Sequence, residues 1–153
     1  MYIIHATKWR ESEVMTTKTA EKNKNERRPS PPAGFPDLAW YRDASDRRKR
    51  NAHIKKLCER IVREFNPEKI ILFGSQAYGK PTAESDIDLL VVMPYKGSPF
   101  RQAGEILKRL QVWMPVDLIV RSEKDIKQRL KIGDQFMRDI LEHGKVMYEA
   151  SDR

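Results

Sequence analysis

The 153 residues suit one domain with loose ends, and at 39% hydrophobic and 34% charged residues the chain is polar on average. No run approaches the roughly 18 apolar residues of a membrane span, and no long apolar stretch of a secretory signal opens the sequence. The single cysteine, Cys58, excludes an internal disulfide framework and fits a reducing cytoplasm, while the net charge of +8 leaves contact with nucleic acid or an acidic protein open.

That charge is unevenly placed. Residues 1–50 carry a net +5 and residues 51–153 a net +3. Lys18 to Arg28 is charged without apolar periodicity, and Pro29 to Pro36 contains four prolines. Such a segment buries too little to offset the entropy of ordering, so residues 1–42 are expected to form a basic, disordered tail, and 43–150 the folded domain. A solvated tail is the default for this charge; binding of nucleic acid through it is the less favoured reading. Phe35, Trp40 and Tyr41 are the exception in composition and would dock on the chain's own domain.

Beyond the tail, Ile54, Leu57, Cys58, Ile61, Val62 and Phe65 recur at spacings of three and four, which predicts a helix with one apolar stripe. Asp43 or Ser45 would cap its start, and Asn66-Pro67 would end it. Lys69 to Phe73 reads as a buried strand closed by Gly74, and Ile87 to Met93 as a second, closed by Pro94. Ser98-Pro99 opens a helix whose inner face is Ala103, Ile106, Leu107 and Leu110. Val116 to Val120 is a third strand. Ser122 and Asp125 form a capping box for another helix, Gly133-Asp134 breaks the helical run, and Phe136, Met137, Ile140 and Leu141 line the last helix. Gly144 is expected to be its left-handed cap, before a short edge strand at Val146 to Tyr148. This order implies an α/β (α+β) domain with helices packed on a small sheet.

The chemistry concentrates in Gly74-Ser75, the ten residues 76–85, and Asp86-Ile87-Asp88. Side chains alternate along a strand, so Asp86 and Asp88 share one face, with Cα atoms about 7 Å apart. Carboxylates so spaced can hold a pair of Mg²⁺ ions about 4 Å apart for phosphoryl chemistry. Ile87, Leu89 and Val91 face the other way, into the core. Asp117 is a third carboxylate, in the middle of the apolar run Val116 to Val120, where burying it unpaired is costly. If its strand lies beside the second, it completes the cluster and can accept the proton of an attacking hydroxyl. Gly74 permits a tight turn, and exposed amides there, with the Ser75 hydroxyl, can cradle phosphate oxygens; a short helix would begin at this point. Ser85 and Lys80 are further nucleotide-binding candidates.

Gly74 to Lys80 also spells a near P-loop, but Pro81 stands where that motif needs Ser or Thr. The next strand follows too soon for the crossover helix of a parallel pair. The first two strands should therefore be antiparallel and the sheet mixed. His5, His53 and His143 lack metal-ligand spacing and read as surface or helix-end residues. Arg101, Lys108 and Arg109 read as a solvated helical face, and Cys58 as core.

Together, Gly-Ser, ten residues, Asp-x-Asp and a later strand aspartate make the chain resemble the minimal nucleotidyltransferase family of the DNA polymerase beta superfamily, over residues 50–149. The resemblance implies the nucleotidyltransferase fold, ATP as donor, Mg²⁺ as cofactor with two ions, and transfer of AMP to an acceptor hydroxyl. It also implies a frequent partner, a small helical HEPN protein, in a toxin–antitoxin pair. The acceptor is expected to be a protein, because so small a chain lacks a second domain to enclose a sugar. Alternatives are an antitoxin acting by stoichiometric contact, and transfer to a small molecule such as an aminoglycoside. Gln76 and Tyr78 depart from the family pattern, which often has basic residues just after Gly-Ser.

Overall fold

The structure is a computed structural model and describes residues 4–5, 46–79, 81–82, 85–112 and 114–151. Of the expected tail, only Ile4–His5 fall among these residues, where they form the two-residue strand β1; Phe35, Trp40 and Tyr41 lie outside them.

Helix α1 (Arg47–Phe65) starts at Asp46, whose carboxylate accepts hydrogen bonds from the amides of Arg48 (2.9 Å) and Lys49 (3.2 Å). The observed cap is thus Asp46, one residue past Ser45; Asp43 and Ser45 themselves are outside the described residues. Asn66 ends the helix in the left-handed region, at φ 48°, with its amide bonded to Val62 O. Then follow β2 (Lys69–Phe73), the single turn α2 (Ser75–Tyr78), β3 (Ile87–Val92), α3 (Pro99–Arg109), β4 (Val116–Arg121), α4 (Glu123–Lys131), α5 (Gln135–His143) and β5 (Lys145–Glu149). The predicted capping box is present: Ser122 Oγ accepts from the Asp125 amide and Asp125 accepts from the Ser122 amide. The break at Gly133 is also present, and α5 begins from Asp134 as its cap.

The five strands lie in the order β1-β4-β3-β2-β5. β2 is antiparallel to β3 and to β5, β3 is parallel to β4, and β1 is antiparallel to β4. The mixed sheet follows from the connections. Only α2 and a short loop link β2 to β3, whereas α3 is long enough to carry the chain back and start β4 in the same direction as β3.

Both faces of the sheet are covered, which is why the central strands are apolar at nearly every position. On one face Ile70, Leu72, Ile87, Leu89, Val91, Val116, Leu118 and Val120 meet the stripes of α1 and α3. On the other, Ile71, Phe73, Leu90, Val92 and Ile119 meet Ile126 of α4 and Met137 and Ile140 of α5. Full burial of an aliphatic side chain such as Ile87 contributes about 1.5–3 kcal/mol. Cys58 belongs to the first core, as expected.

Gly144 departs from the sequence reading. It follows α5 but is extended (φ −68°, ψ 155°), not left-handed. A Cβ there would collide with Ile140 O and with Cγ2 of Ile71, so the glycine is needed for space, where α5 meets β2.

Candidate active site

The alternation within β3 sends Ile87, Leu89 and Val91 into one core and leaves Asp88 on the side of Leu90 and Val92. The same alternation in β4 puts Asp117 on the side of Ile119. Because the two strands are parallel neighbours, Asp88 and Asp117 are direct register partners. Their Cα atoms are therefore about 4.8 Å apart in the direction across the sheet. Asp86 precedes the strand by one residue, and by the alternation it lies on the same side. Asp117 is buried, 7% exposed, while Asp86 and Asp88 are half-buried.

The row continues on both sides. Phe73 of β2 is the register partner of Asp88, and the Phe73 ring meets Phe136 of α5 edge to face, with centroids 5.8 Å apart. On the far side of Asp117, His5 of β1 takes the opposite register position. The sequence reading of His5 as a residue without metal-ligand spacing did not include this pairing. Nothing in the sequence signals it, because a two-residue strand has no periodicity and its partner lies over a hundred residues away.

Above the row stands the Gly74 turn. Gly74 has φ 67° and ψ −157°, a conformation essentially reserved for glycine. A Cβ on it would collide with the Asp88 carboxylate, so only a bare backbone can pass this close. Ser75 opens α2, which has a single turn of four residues; its amides are committed in part to the turn, with Ala77 and Tyr78 both donating to Gly74 O.

The loop from α2 to β3 is held by Ser85. Its Oγ accepts from the Thr82 amide at 2.9 Å and sits 3.2 Å from Thr82 Oγ1, while its carbonyl accepts from Gln76 Nε2 at 3.1 Å. Ser85, expected to meet the nucleotide, thus has its hydroxyl engaged in the turn that delivers Asp86. Lys80 lies outside the described residues. Arg109 is engaged elsewhere, paired with Glu64 at 3.2 Å and stacked over Phe65 at the junction of α3 and α1. A groove of about 1050 Å³ opens at the opposite end of the sheet, near Lys69, Val92, Ile126 and Tyr148. None of the carboxylates lines it, so it is not part of this site.

Three carboxylates on one face are oxygen donors of the kind that suit a hard divalent cation. As they stand, no three His, Cys, Asp or Glu groups among the described residues are drawn together at metal-binding distance. Asp86, Asp88 and Asp117 each already make a hydrogen bond, ion pair or other electrostatic interaction. The donor set fits the cation in kind.

Residues 54–153 match the family described as polymerase beta, nucleotidyltransferase. The chain belongs to this family. It is 39% identical over 83 residues to the Methanocaldococcus jannaschii protein named "Putative protein adenylyltransferase MJ0604", an alignment that covers 53% of this chain and 78% of that protein. A crystal structure described as "a putative nucleotidyltransferase from Sulfolobus solfataricus" superposes with a TM-score of 0.50 at 21% identity, over 76% of this chain and 93% of that one, a likeness of fold. A toxin–antitoxin crystal structure with AMP-PNP gives a TM-score of 0.38 at 21% identity, over 63% of this chain and 74% of that one, too distant to bear on function. In this nucleotidyltransferase the matched residues take in the Gly74 turn and all three aspartates, and begin within α1. Among the described residues no helix is long and apolar enough to cross a membrane.

Proposed function

We propose that the chain is a Mg²⁺-dependent nucleotidyltransferase that moves AMP from ATP to a hydroxyl on a protein. The observation that carries this reading is the placement of Asp88 and Asp117 side by side on β3 and β4 beneath the Gly74 turn. Membership of the nucleotidyltransferase family supports the reaction class, and the printed name of the M. jannaschii relative supports a protein acceptor.

Asp86, Asp88 and Asp117 are the residues that would hold the cation. When bound, Mg²⁺ would supply positive charge against the triphosphate and the charge that develops in the transition state. Gly74 and Ser75 hold phosphate oxygens against the end of β3, and so orient the α-phosphorus. Asp117 accepts the proton of the acceptor hydroxyl as its oxygen attacks that phosphorus; the bond to the bridging oxygen breaks and pyrophosphate leaves.

The partner that best fits is a small helical HEPN-type toxin, silenced by the added AMP, in the cytoplasm. In this reading the catalytic domain is residues 43–150, with Ile4–His5 added at the edge of its sheet as β1. A second reading, an antitoxin that acts by contact alone, has one observation in its favour: Gln76, at a position where the family often has a cation, is tied to the backbone of Ser85.

The test is incubation of the chain with labelled ATP, Mg²⁺ and the helical partner, followed by intact-mass measurement. One added AMP on the partner with wild type, and none with Asp117→Asn, is the expected result. Neutralisation of the partner without a mass change, equally by wild type and Asp117→Asn, would establish the contact antitoxin instead. Transfer to an aminoglycoside but not to protein would reassign the acceptor.

A further inference from the structure

The sheet takes one strand from outside the residues that match the family. Residues 54–153 hold β2, β3, β4 and β5, whereas β1 is Ile4–His5. Ile4 pairs with Leu118 and His5 with Asp117, antiparallel, on the side of β4 away from β3. Among the described residues β1 covers two of the six residues of β4. A longer segment can make the same main-chain bonds and more, and so replace it. The register gives this edge a chemical meaning. Partners in an antiparallel pair lie on one face of the sheet, with Cβ atoms about 4.5–5.5 Å apart. Leu118 belongs to the core that meets α3, and α3 lies against β1 as well as β4, so the position opposite Leu118 suits an apolar residue. Asp117 lies on the other face, with Asp88 beside it. A side chain that starts opposite Asp117 therefore begins next to the group that takes the acceptor's proton. The chain's own strand has histidine at that position, a residue without a hydroxyl.

We propose that the outer edge of β4 is the docking strand for the acceptor protein. An extended segment of the acceptor pairs there in place of Ile4–His5, and its hydroxyl-bearing residue, preceded by an apolar one, takes the position opposite Asp117. This rests on the nucleotidyltransferase reading of the same site. The hydroxyl oxygen bonds to the α-phosphorus of ATP, its proton passes to Asp117, and the bond from that phosphorus to the bridging oxygen breaks to release pyrophosphate. Main-chain pairing supplies affinity, and the two side-chain positions supply the choice of residue, as in other complexes formed by strand addition. The chain's own β1 has the apolar residue and lacks the hydroxyl, so it holds the edge as a non-reacting competitor of the acceptor.

The experiment uses the full chain as its own acceptor. Wild type, His5→Tyr, His5→Phe, and His5→Tyr combined with Asp117→Asn are each incubated with ATP and Mg²⁺, then analysed by intact mass and peptide mapping. One AMP should appear on His5→Tyr, at residue 5 and not at Tyr2, at a rate independent of protein concentration. The other three should gain none at residue 5. A second arm offers a peptide of residues 1–7 with the same His5→Tyr change to wild type and to Ile4→Pro combined with His5→Pro, in which β1 loses both backbone donors. The proline variant should modify the peptide about tenfold faster, the factor that separates an edge occupied nine-tenths of the time from a vacant one. A His5→Tyr chain that stays unmodified yet binds a non-hydrolysable ATP analogue with Mg²⁺ would overturn the docking register and leave the nucleotide site standing. Equal or slower modification of the peptide by the proline variant would make β1 a fixed part of the sheet and overturn the exchange. Failure of wild type to bind the analogue with Mg²⁺ would instead defeat the nucleotidyltransferase reading itself, and this role with it.

Discussion

Asp88 of β3 and Asp117 of β4 are register partners on parallel strands, on the same face of the sheet, with Asp117 the more buried of the two. Two like charges at adjacent register positions disfavour the folded state unless something positive lies between or beside them. An aspartate pair at such positions is expected where its charge is used.

It follows that Asp88→Asn should abolish most of the Mg²⁺-dependent part of nucleotide binding while leaving the metal-free protein as stable as wild type or more so. Asp86→Asn should act in the same direction. Asp117→Asn should differ, with much of the nucleotide affinity retained and transfer slowed by the roughly 10²–10⁴-fold typical of a lost general base. Calorimetry of ATP binding with and without Mg²⁺, beside a thermal melt in chelator, checks the first two. Equal Mg²⁺ dependence in wild type and in both variants would remove the metal from these residues.

Cys58 gives a prediction about the core. Burial pushes its thiol up to about 12, against a partial opposing effect from its backbone hydrogen bond, with Glu59 adding to the rise. Alkylation by iodoacetamide near pH 8 should therefore be very slow in the folded protein and fast in urea, because the thiolate is the nucleophile. For stability, a raised folded pKa gives a contribution fully present below the unfolded thiol's value near about 8.5 and lost progressively as pH rises from there towards 12. Rapid native-state labelling at pH 8 would show that α1 opens away from the sheet.

The parts of this arrangement that the sequence disclosed are those set by short-range periodicity. Alternation put Asp86 and Asp88 on one side of a strand, an apolar run flagged Asp117 as out of place, and the brief gap between Phe73 and Ile87 required an antiparallel pair. The box at Ser122 and Asp125 and the edge strand after Gly144 were equally local. What stayed hidden depends on contacts between distant residues. Gly144 looked like a left-handed cap, but its backbone is extended and its lack of a side chain answers to Ile71. The hydroxyl of Ser85 also closes a turn with Thr82, a contact that no local spacing marks. That Asp88, not Asp86, is the lateral partner of Asp117 depends on the β3·β4 register, and His5 beside Asp117 depends on a pairing across nearly the whole chain.

Asp134 offers a test away from the site. Its carboxylate accepts the Met137 amide at 3.0 Å, and Arg129 Nη1 at 2.8 Å, which together hold it below the usual carboxylate range. A depressed carboxylate contributes stability that is present above its unfolded value, about 3.9, and lost as pH falls through the lower folded value. Asp134→Ala should cost about 1–2 kcal/mol at neutral pH, from the lost cap and the unpaired Arg129. The difference from wild type should shrink below about pH 4, where the unfolded carboxyl becomes protonated. Urea melts at pH 7 and pH 3 would check it; an unchanged difference at the lower pH would mean that the carboxylate's charge contributes nothing.

Gly74→Ala should damage both the fold and the activity, by two separable routes. The first is the backbone: φ 67° with ψ −157° lies where a side chain costs about 1–3 kcal/mol. The second is the added methyl itself, which has the Asp88 carboxylate in its way and must displace it. Relief of the clash means moving either the turn that cradles phosphates or the carboxylate that would hold the cation, so nucleotide binding should fall even under conditions where the variant is fully folded. Gly133→Ala is the control. Gly133 also has a positive φ, 78°, but nothing lies within 4 Å of an added Cβ, and it sits in the turn between α4 and α5. It should lose stability by a comparable backbone amount and keep its affinity for nucleotide. The measurement is Mg²⁺-dependent ATP binding at a temperature well below both melting points. If Gly74→Ala binds like Gly133→Ala after correction for the folded fraction, the turn over Asp88 is a structural bend and takes no part in holding phosphate.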